Sequence, residues 1–394
     1  MKQINVHNRC SDFNSYRASR VKSLFNAESG CNFDLTAELP ADDLNWRIGL
    51  IIGPSGSGKS SIGRQFWSGV DIADLSDNWP EDAPVIDAIA PDGDFNTVTG
   101  ALAAVGLGDV PAWLRPFHVL SVGEKFRAGV ARVIAAPPQQ IIIDEFTSAL
   151  DRQIARFGAL AFAKAWRRLK DGQQCLILSC HRDIIDWLQP DWIFDTATGK
   201  FNSAVGVQRP KIKLDIYRTN WQFWPSFEKH HYLKLPHMVA ACCYVGAVDG
   251  EPVCHLAVGS RNKGKGVEAR ACRLVVMPEW QGAGVGMRFL NAICDMNLSG
   301  EDGARFPGRP VTTLFHTSHP GLAASLRRDK KWRQVSAELY GQPRAKFIST
   351  MNKSNAKKLA RDPNAIIISG AGYGGHFRAV QGFRYVGEEG IYAA

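Results

Sequence analysis

The sequence predicts an α/β protein of two domains, and three observations carry that expectation. Short apolar runs at 48–52, 140–143 and 175–179 recur between about residues 45 and 200, with a helical stretch near 152–169 before the last of them. Apolar strands alternating with helices are the pattern of a parallel sheet covered on both faces. Residues 196–210, TATGKFNSAVGVQRP, are rich in turn formers and read as a boundary. Beyond them the pattern changes: 238–248 and 252–258 flank Asp249-Gly250, a hairpin signal, and 267–276 leads through a glycine-rich turn into a helix starting near Ala283. We therefore expect domains at 1–205 and 206–394. Residues 300–310 and 344–361 read as loops or exposed helix.

Composition supports this partition. The chain has 394 residues, 45% hydrophobic and 22% charged, enough apolar material for two cores. No run approaches the roughly 18–20 apolar residues of a membrane helix. The start, MKQINVHNRCSDFN, lacks the apolar core of a secretory signal. A cytoplasmic location without a membrane partner is expected. The nine cysteines are dispersed apart from neighbours Cys242 and Cys243, without zinc or redox spacing, as in reduced thiols packed as small apolar groups. Charge is uneven: residues 1–210 carry 21 Lys+Arg against 24 Asp+Glu, and 211–394 carry 26 against 14. The basic half fits a polyanionic partner; charge alone equally fits a solvated surface.

Residues 53–60 read GPSGSGKS, directly after the apolar run IGLII. This G-x-x-x-x-G-K-[ST] spacing lets glycines turn backbone N–H groups toward phosphate oxygens, with a helix N-terminus behind them. Gly53, Ser55, Gly56, Gly58 and Ser61 are expected around the phosphates, with Lys59 on the β- and γ-phosphates and the Ser60 hydroxyl on Mg²⁺. The run IIIDE at 141–145 ends a buried strand in two acids. Asp144 is the second Mg²⁺ candidate, and Glu145 the group that polarises the attacking water. The expected cofactors are ATP and Mg²⁺.

Three further features narrow the class. LSVGEK (120–125) precedes a helix, SALD (148–151) follows the acidic pair, and His181 follows CLILS. In this order the set resembles the ABC ATPase family over about residues 15–205. The resemblance implies a homodimer through this domain. Ser121 and Gly123 of one copy would meet the γ-phosphate bound on Lys59 of the other, and His181 would sense that phosphate. Val122 and Glu124 replace the family's usual Gly and Gln, and a Q-loop glutamine is not evident. Phe25 fits either an adenine-stacking ring or a core residue. These departures imply a soluble ABC protein, with slow or regulated turnover, rather than a transport motor.

Residues 274–286 read LVVMPEWQGAGVG, between a β-branched strand and an amphipathic helix. Strand, proline, Gln281-Gly282-x-Gly284-x-Gly286 and helix together are similar to the acetyl-CoA segment of GNAT N-acetyltransferases. A Rossmann turn would need a second strand and an acid about twenty residues on, where SGEDGARFPGRP stands instead. The resemblance spans about 211–388 and implies an α/β acyltransferase domain with acetyl-CoA as cofactor. Backbone N–H groups from Gln281 to Gly286 would hold the pyrophosphate, and the Val276 amide the acetyl carbonyl. Glu268, 13 residues ahead of Gln281, stands where some members carry a base, and equally fits a strand acid. Tyr340, Tyr373 and Tyr385 are candidate acids. One of His230 and His231, read on a strand, could line the acceptor pocket together with Trp221, Trp224 and Phe227.

The combination looks like ABC–GNAT fusions of bacteria and their viruses, some of which act on amine-bearing hypermodified DNA bases. DNA is thus the expected partner, in a host cytoplasm if the protein is viral. Two basic clusters could track its backbone: Arg327, Arg328, Lys330, Lys331 and Arg333 beside Trp332, and Lys353, Lys357, Lys358 and Arg361. The first could instead meet the 3′-phosphate of CoA. Acetylation of protein, RNA or a small amine is the alternative. A different class of alternative is a DNA-binding ABC clamp whose second half only senses acyl-CoA.

Overall fold

The computed structural model describes residues 2–9, 12–25, 32–40, 45–203, 212–231, 241–263, 266–338 and 379–388, with scattered positions between 349 and 363. The chain forms two compact units, Met1–Gly93 with Arg115–Lys211, and Asp94–Leu114 with Ile212–Ala394. The division near 211 lies beside the turn-rich segment. The excursion of 94–114 into the second unit has no counterpart in the sequence reading.

The first unit holds β1 (Lys2–Arg9), α1 (Tyr16–Phe25), β2 (Asn32–Leu39), β3 (Ile48–Ile52), α2 (Lys59–Phe66), β4 (Ile72–Ala73) and α3 (Val85–Ala88). The chain then leaves for α4 (Phe95–Ala104) and α5 (Val110–Trp113) of the second unit. It returns as α6 (Val122–Ala135), β5 (Gln140–Ile143), α7 (Arg152–Trp166), β6 (Gln174–Ser179), α8 (Ile184–Leu188), β7 (Trp192–Asp195) and β8 (Lys200–Ser203). Six strands run in the order β4-β5-β6-β3-β7-β8. All neighbours are parallel except β7 and β8. Every side chain of β3 and β6 is buried, which is why these strands read as unbroken apolar runs rather than alternating ones. β1 and β2 form a separate antiparallel ribbon, whose Ile4, Val6 and Leu39 share a core with Ile51, Phe66 and Trp192.

The second unit continues with β9 (Asp215–Thr219), α9 (Trp224–Glu228), β10 (Cys242–Val248), β11 (Glu251–Lys263), β12 (Gly266–Val276), α10 (Val285–Ser299), β13 (Thr313–Thr317), α11 (Pro320–Arg328), β14 (Trp332–Glu338) and β15 (Val380–Tyr385). Its seven strands run β14-β15-β13-β12-β11-β10-β9. Asp249-Gly250 makes the β10–β11 turn, with φ of 51° and 85°. Among the described residues the single parallel pair is β12 with β13, and it is short. Among these residues its ladder runs from Ala269 opposite Thr313 to Ala271 opposite Phe315, while β12 continues to Val276. The registered pairing of the two strands thus stops before the end of β12 that feeds the glycine-rich turn. Phe289, Leu290 and Ile293 of α10 pack in one core with Leu256, Ala271 and Phe383.

Candidate functional site

At the C-terminal end of the parallel sheet, β3 and β5 deliver the first site. Ser55, Gly56, Gly58, Lys59, Ser60 and Ser61 line a cavity of ≈ 390 Å³ with Asp144, Glu145, Ser179 and Cys180. Gly58 caps α2 at φ 83°, ψ 9°, a left-handed conformation that costs a side-chain-bearing residue about 1–2 kcal/mol. The Lys59 ammonium donates to the carbonyls of Gly53 (2.9 Å) and Pro54 (2.8 Å), which hold it within the loop. Ser60 Oγ donates to Asp144 Oδ2 at 2.5 Å. A hydroxyl and a carboxylate from different elements thus converge as two hard oxygen donors, a set that suits Mg²⁺. Glu145 follows at φ 48°. Its amide donates to Asp144 Oδ1 (2.8 Å) and its carbonyl accepts from Ser148 Oγ (2.7 Å), so local hydrogen bonds secure the acidic pair.

The remaining expected residues of this domain lie beyond the cavity lining. His181 is two residues past Ser179, whose Oγ accepts the His181 amide at 3.1 Å. Ser121 begins α6 in a capping box with Glu124: the Ser121 amide and hydroxyl each donate to Glu124 Oε2 at 2.8 Å. That box explains Glu124 locally, since a carboxylate at N3 satisfies the cap and opposes the helix dipole. Val122, 58% exposed, and Gly123 complete the turn. Phe25 is 76% exposed at the end of α1, so the core reading of this residue is corrected.

The second site joins β12 to α10. Gly284 caps α10 at φ 82°, ψ 8°, within a degree of Gly58. Each unit therefore starts a helix from the same left-handed glycine, with backbone N–H groups turned to one side. Gln281 Nε2 donates to the Val276 carbonyl at 3.0 Å, fastening the turn to the strand end. Between the β11 pairings of His255 and Ala257 the register of β12 slips, and Arg273 there stands at φ 58°. This is a bulge three residues before Val276.

Several expectations for this half are corrected. Glu268 lies eight residues before Val276, about 26 Å along an extended strand at ~3.3 Å per residue. It is 1% exposed and accepts from Arg384 Nε (2.6 Å) and Thr312 Oγ1 (3.0 Å). A carboxylate neutralised there cannot take a proton from an amine at the strand's other end. Tyr385 is buried and donates to Asp295 Oδ1 at 2.6 Å. Burial first, then that acceptor, push its phenol far above the ordinary range, which unsuits it as an acid. Tyr340 and Tyr373 lie outside the described residues. His230 and His231 sit not on a strand but in the turn after α9, their amides donating to the Phe227 and Glu228 carbonyls. Trp332 is 6% exposed and donates from Nε1 to Asn291 Oδ1 at 2.8 Å, so it cannot stack on a base. Beside it Arg327 donates to Gln381 Oε1 and Lys331 pairs with Glu388. Of the second basic cluster, Lys358 and Arg361 lie outside the described residues.

One residue escaped the sequence reading. His255 on β11 is wholly buried among the rings of Trp224 (5.0 Å), Phe227 (5.6 Å) and Trp221 (5.9 Å), beside the Arg273 bulge. Burial holds its imidazole neutral, with a pKa down at about 4. The available signal was a single ionisable residue in the apolar run VCHLAV.

Among the described residues, no three His, Cys, Asp or Glu gather as a metal-binding group, and no helix is long and apolar enough to cross a membrane.

The parallel sheet, the glycine loop after β3 and the acidic pair after β5 define a P-loop nucleotide-binding domain. No family model matches the chain. It is 34% identical to the cytochrome c biogenesis ATP-binding export protein CcmA of Rhodospirillum rubrum, over 34% of this chain and 68% of that protein. It is 30% identical to the energy-coupling factor transporter ATP-binding protein EcfA1 of Bacillus licheniformis, over 30% of this chain and 41% of that protein. The solved structures it resembles include the dimeric bacterial ABC transporter cassette MJ0796, with TM-score 0.34, 16% identity, 45% of this chain and 90% of that one. Through its first domain, the chain belongs to the ABC ATPase family. That membership implies ATP and Mg²⁺ as ligands and ATP hydrolysis as the reaction.

Proposed function

We propose that the chain joins an ATP-hydrolysing ABC cassette to a GNAT-type N-acetyltransferase whose acceptor is an amino group on a hypermodified base in DNA. The observation carrying the transferase half is the Gly284 turn, which starts α10 from a left-handed glycine shortly after the bulged end of β12. Backbone amides at such a helix start suit the pyrophosphate of CoA. The strand order of the second unit supports the same reading, and so does the bulge at Arg273. The basic excess of residues 211–394 supports a polyanionic acceptor.

In the cassette, Gly53–Ser61 cradles the triphosphate, Lys59 neutralises its β- and γ-oxygens, and Glu145 orients the attacking water. Ser60 and Asp144 hold Mg²⁺, which supplies charge neutralisation when bound. Two copies close head to tail, so that Ser121 and Gly123 of one meet the γ-phosphate on Lys59 of the other, with His181 alongside it. In the transferase half, the acceptor nitrogen attacks the thioester carbonyl. The C–N bond forms, the C–S bond breaks, the amine loses a proton and the CoA thiolate gains one. Backbone amides from Gln281 to Gly286 hold the pyrophosphate, and the Val276 amide supports the developing oxyanion. The base would reach this site by leaving the stack.

The test is incubation of the protein with ATP, labelled acetyl-CoA and DNA bearing amino-modified bases, followed by mass spectrometry of the nucleosides. A nucleoside heavier by one acetyl group is expected. Label confined to protein, RNA or a small amine contradicts the DNA acceptor and leaves those substrates. The Glu268–Arg384 ion pair removes one candidate base, which favours a second reading: an ABC protein whose other half binds acyl-CoA as a sensor. Acetyl-CoA binding with no transfer to any acceptor would select it.

A further inference from the structure

Residues 94–114 lie in sequence between α2 of the cassette and its Ser121 turn, yet pack as part of the second unit. They form a braced piece. Asp94 caps α4 by accepting the amides of Asn96 and Thr97, and Trp113 Nε1 donates to the Leu107 carbonyl at 2.7 Å.

The piece docks on the Gln281 turn. The Gly108 amide donates to Gln281 Oε1 at 2.9 Å. His319 fixes the same residue from behind: its Nδ1 accepts the Leu322 amide, which leaves Nε2–H to donate to the Gly108 carbonyl at 3.2 Å. The Trp113 ring stands edge-on to that imidazole at 5.5 Å. Packing is tight at two further points. A Cβ on Gly106 would lie 2.3 Å from the Gln281 carbonyl oxygen, and one on Gly321 would lie 2.2 Å from Ala103 Cβ.

Gln281 is thus held at both ends of its amide, by Gly108 on one side and by the Val276 carbonyl on the other. Val276 and Gln281 are the two positions assigned above to the acetyl group and the pyrophosphate. Both ends of the docked piece continue covalently into the cassette, at Gly93 and Arg115, and Ser121 follows Leu114 by seven residues.

We propose that residues 94–114 are a coupling arm: nucleotide binding in the cassette changes the purchase of Gly106–Gly108 on the Gln281 turn, and so sets the affinity of that turn for acyl-CoA. The inference rests on the reading that the turn holds acyl-CoA. Coupling of this kind is reciprocal, so acyl-CoA must change ATP affinity by the same factor.

The test uses the full chain carrying Glu145→Gln, so that ATP persists, and measures acetyl-CoA affinity by calorimetry with and without saturating Mg-ATP. A change of at least about fivefold is expected, with the same factor for ATP when acetyl-CoA saturates. Gly321→Leu, which forces α4 off α11, is expected to bring both factors to one while both ligands still bind. His319→Ala, which removes the bond to Gly108 together with the cap on the Leu322 amide, serves if that variant does not fold. Acetyl-CoA affinity equal within twofold in both nucleotide states overturns the coupling and leaves the acyl-CoA reading intact. Unchanged coupling in a folded arm variant also overturns it. Absence of acetyl-CoA binding in every nucleotide state overturns both.

Discussion

Arg384 donates from Nε to Glu268 Oε1 at 2.6 Å, joining β15 to the start of β12 across 116 residues of sequence. With Thr312 on the same oxygen, the pair ties both flanks of β13 together at the closed end of the sheet. Its place is structural, and the first prediction follows. Glu268→Ala should cost about 3–5 kcal/mol, because it leaves a charged partner without its counter-ion. Replacing both residues by apolar ones of similar volume should recover most of that. Urea unfolding of the three variants measures it. If transfer is observed, a folded Glu268→Gln protein should retain its pH profile.

Glu145 carries the second prediction. Glu145→Gln should leave ATP binding in place and slow hydrolysis by about 10²–10⁴-fold, the usual worth of a positioned general base. Phosphate release under single turnover checks this. Lys59→Ala should instead lower ATP affinity itself.

The oxygen pair Ser60–Asp144 carries the third. Asp144→Asn removes the charge while keeping the hydrogen bond to Ser60. ATP affinity measured across a magnesium titration should lose most of its magnesium dependence, whereas affinity in EDTA should change little.

His255 gives a prediction on pH. Its pKa is about 4 when folded, against about 6.5 in an unfolded chain. The unfolded state therefore binds the extra proton between these values, and stability is lost as pH falls from ~6.5 to ~4, by up to about 3 kcal/mol from this group. His255→Phe should flatten that part of the stability–pH curve. Denaturant midpoints at pH 7, 6 and 5 test it.

Local chemistry was legible and distant pairing was not. Strands β3 and β5 lie where their apolar runs stood, because a strand buried on both faces leaves an unbroken signature. Helix α7 ends at Trp166 rather than near 169. The Arg167 amide still bonds four residues back, but those of Arg168 and Leu169 bond three back as the chain tightens toward Gly172, a change that apolar periodicity does not register. The glycine turns were read from spacing, since left-handed caps leave few alternatives to glycine. The partner of Glu268 was hidden, because nothing near residue 268 announces Arg384. The burial of Trp332 was hidden as well: neighbouring basic residues mimic an exposed patch, while Asn291 and Tyr385 that enclose the ring come from other elements. The segment 94–114 could not be read at all, for it packs against α11 and the Gln281 turn, both distant in sequence.

Left-handed glycines at Gly58 and Gly284 start helices in separate units, and the proposed function makes each turn an anion site. The most direct measurement is calorimetric titration of the full chain with Mg-ATP and with acetyl-CoA, for the parent, Lys59→Ala and Gly284→Asp proteins. The expected result is one site for each ligand, with Lys59→Ala losing ATP alone and Gly284→Asp losing acetyl-CoA alone. Competition of the two ligands for one site, or no acetyl-CoA binding by the parent protein, would contradict the account.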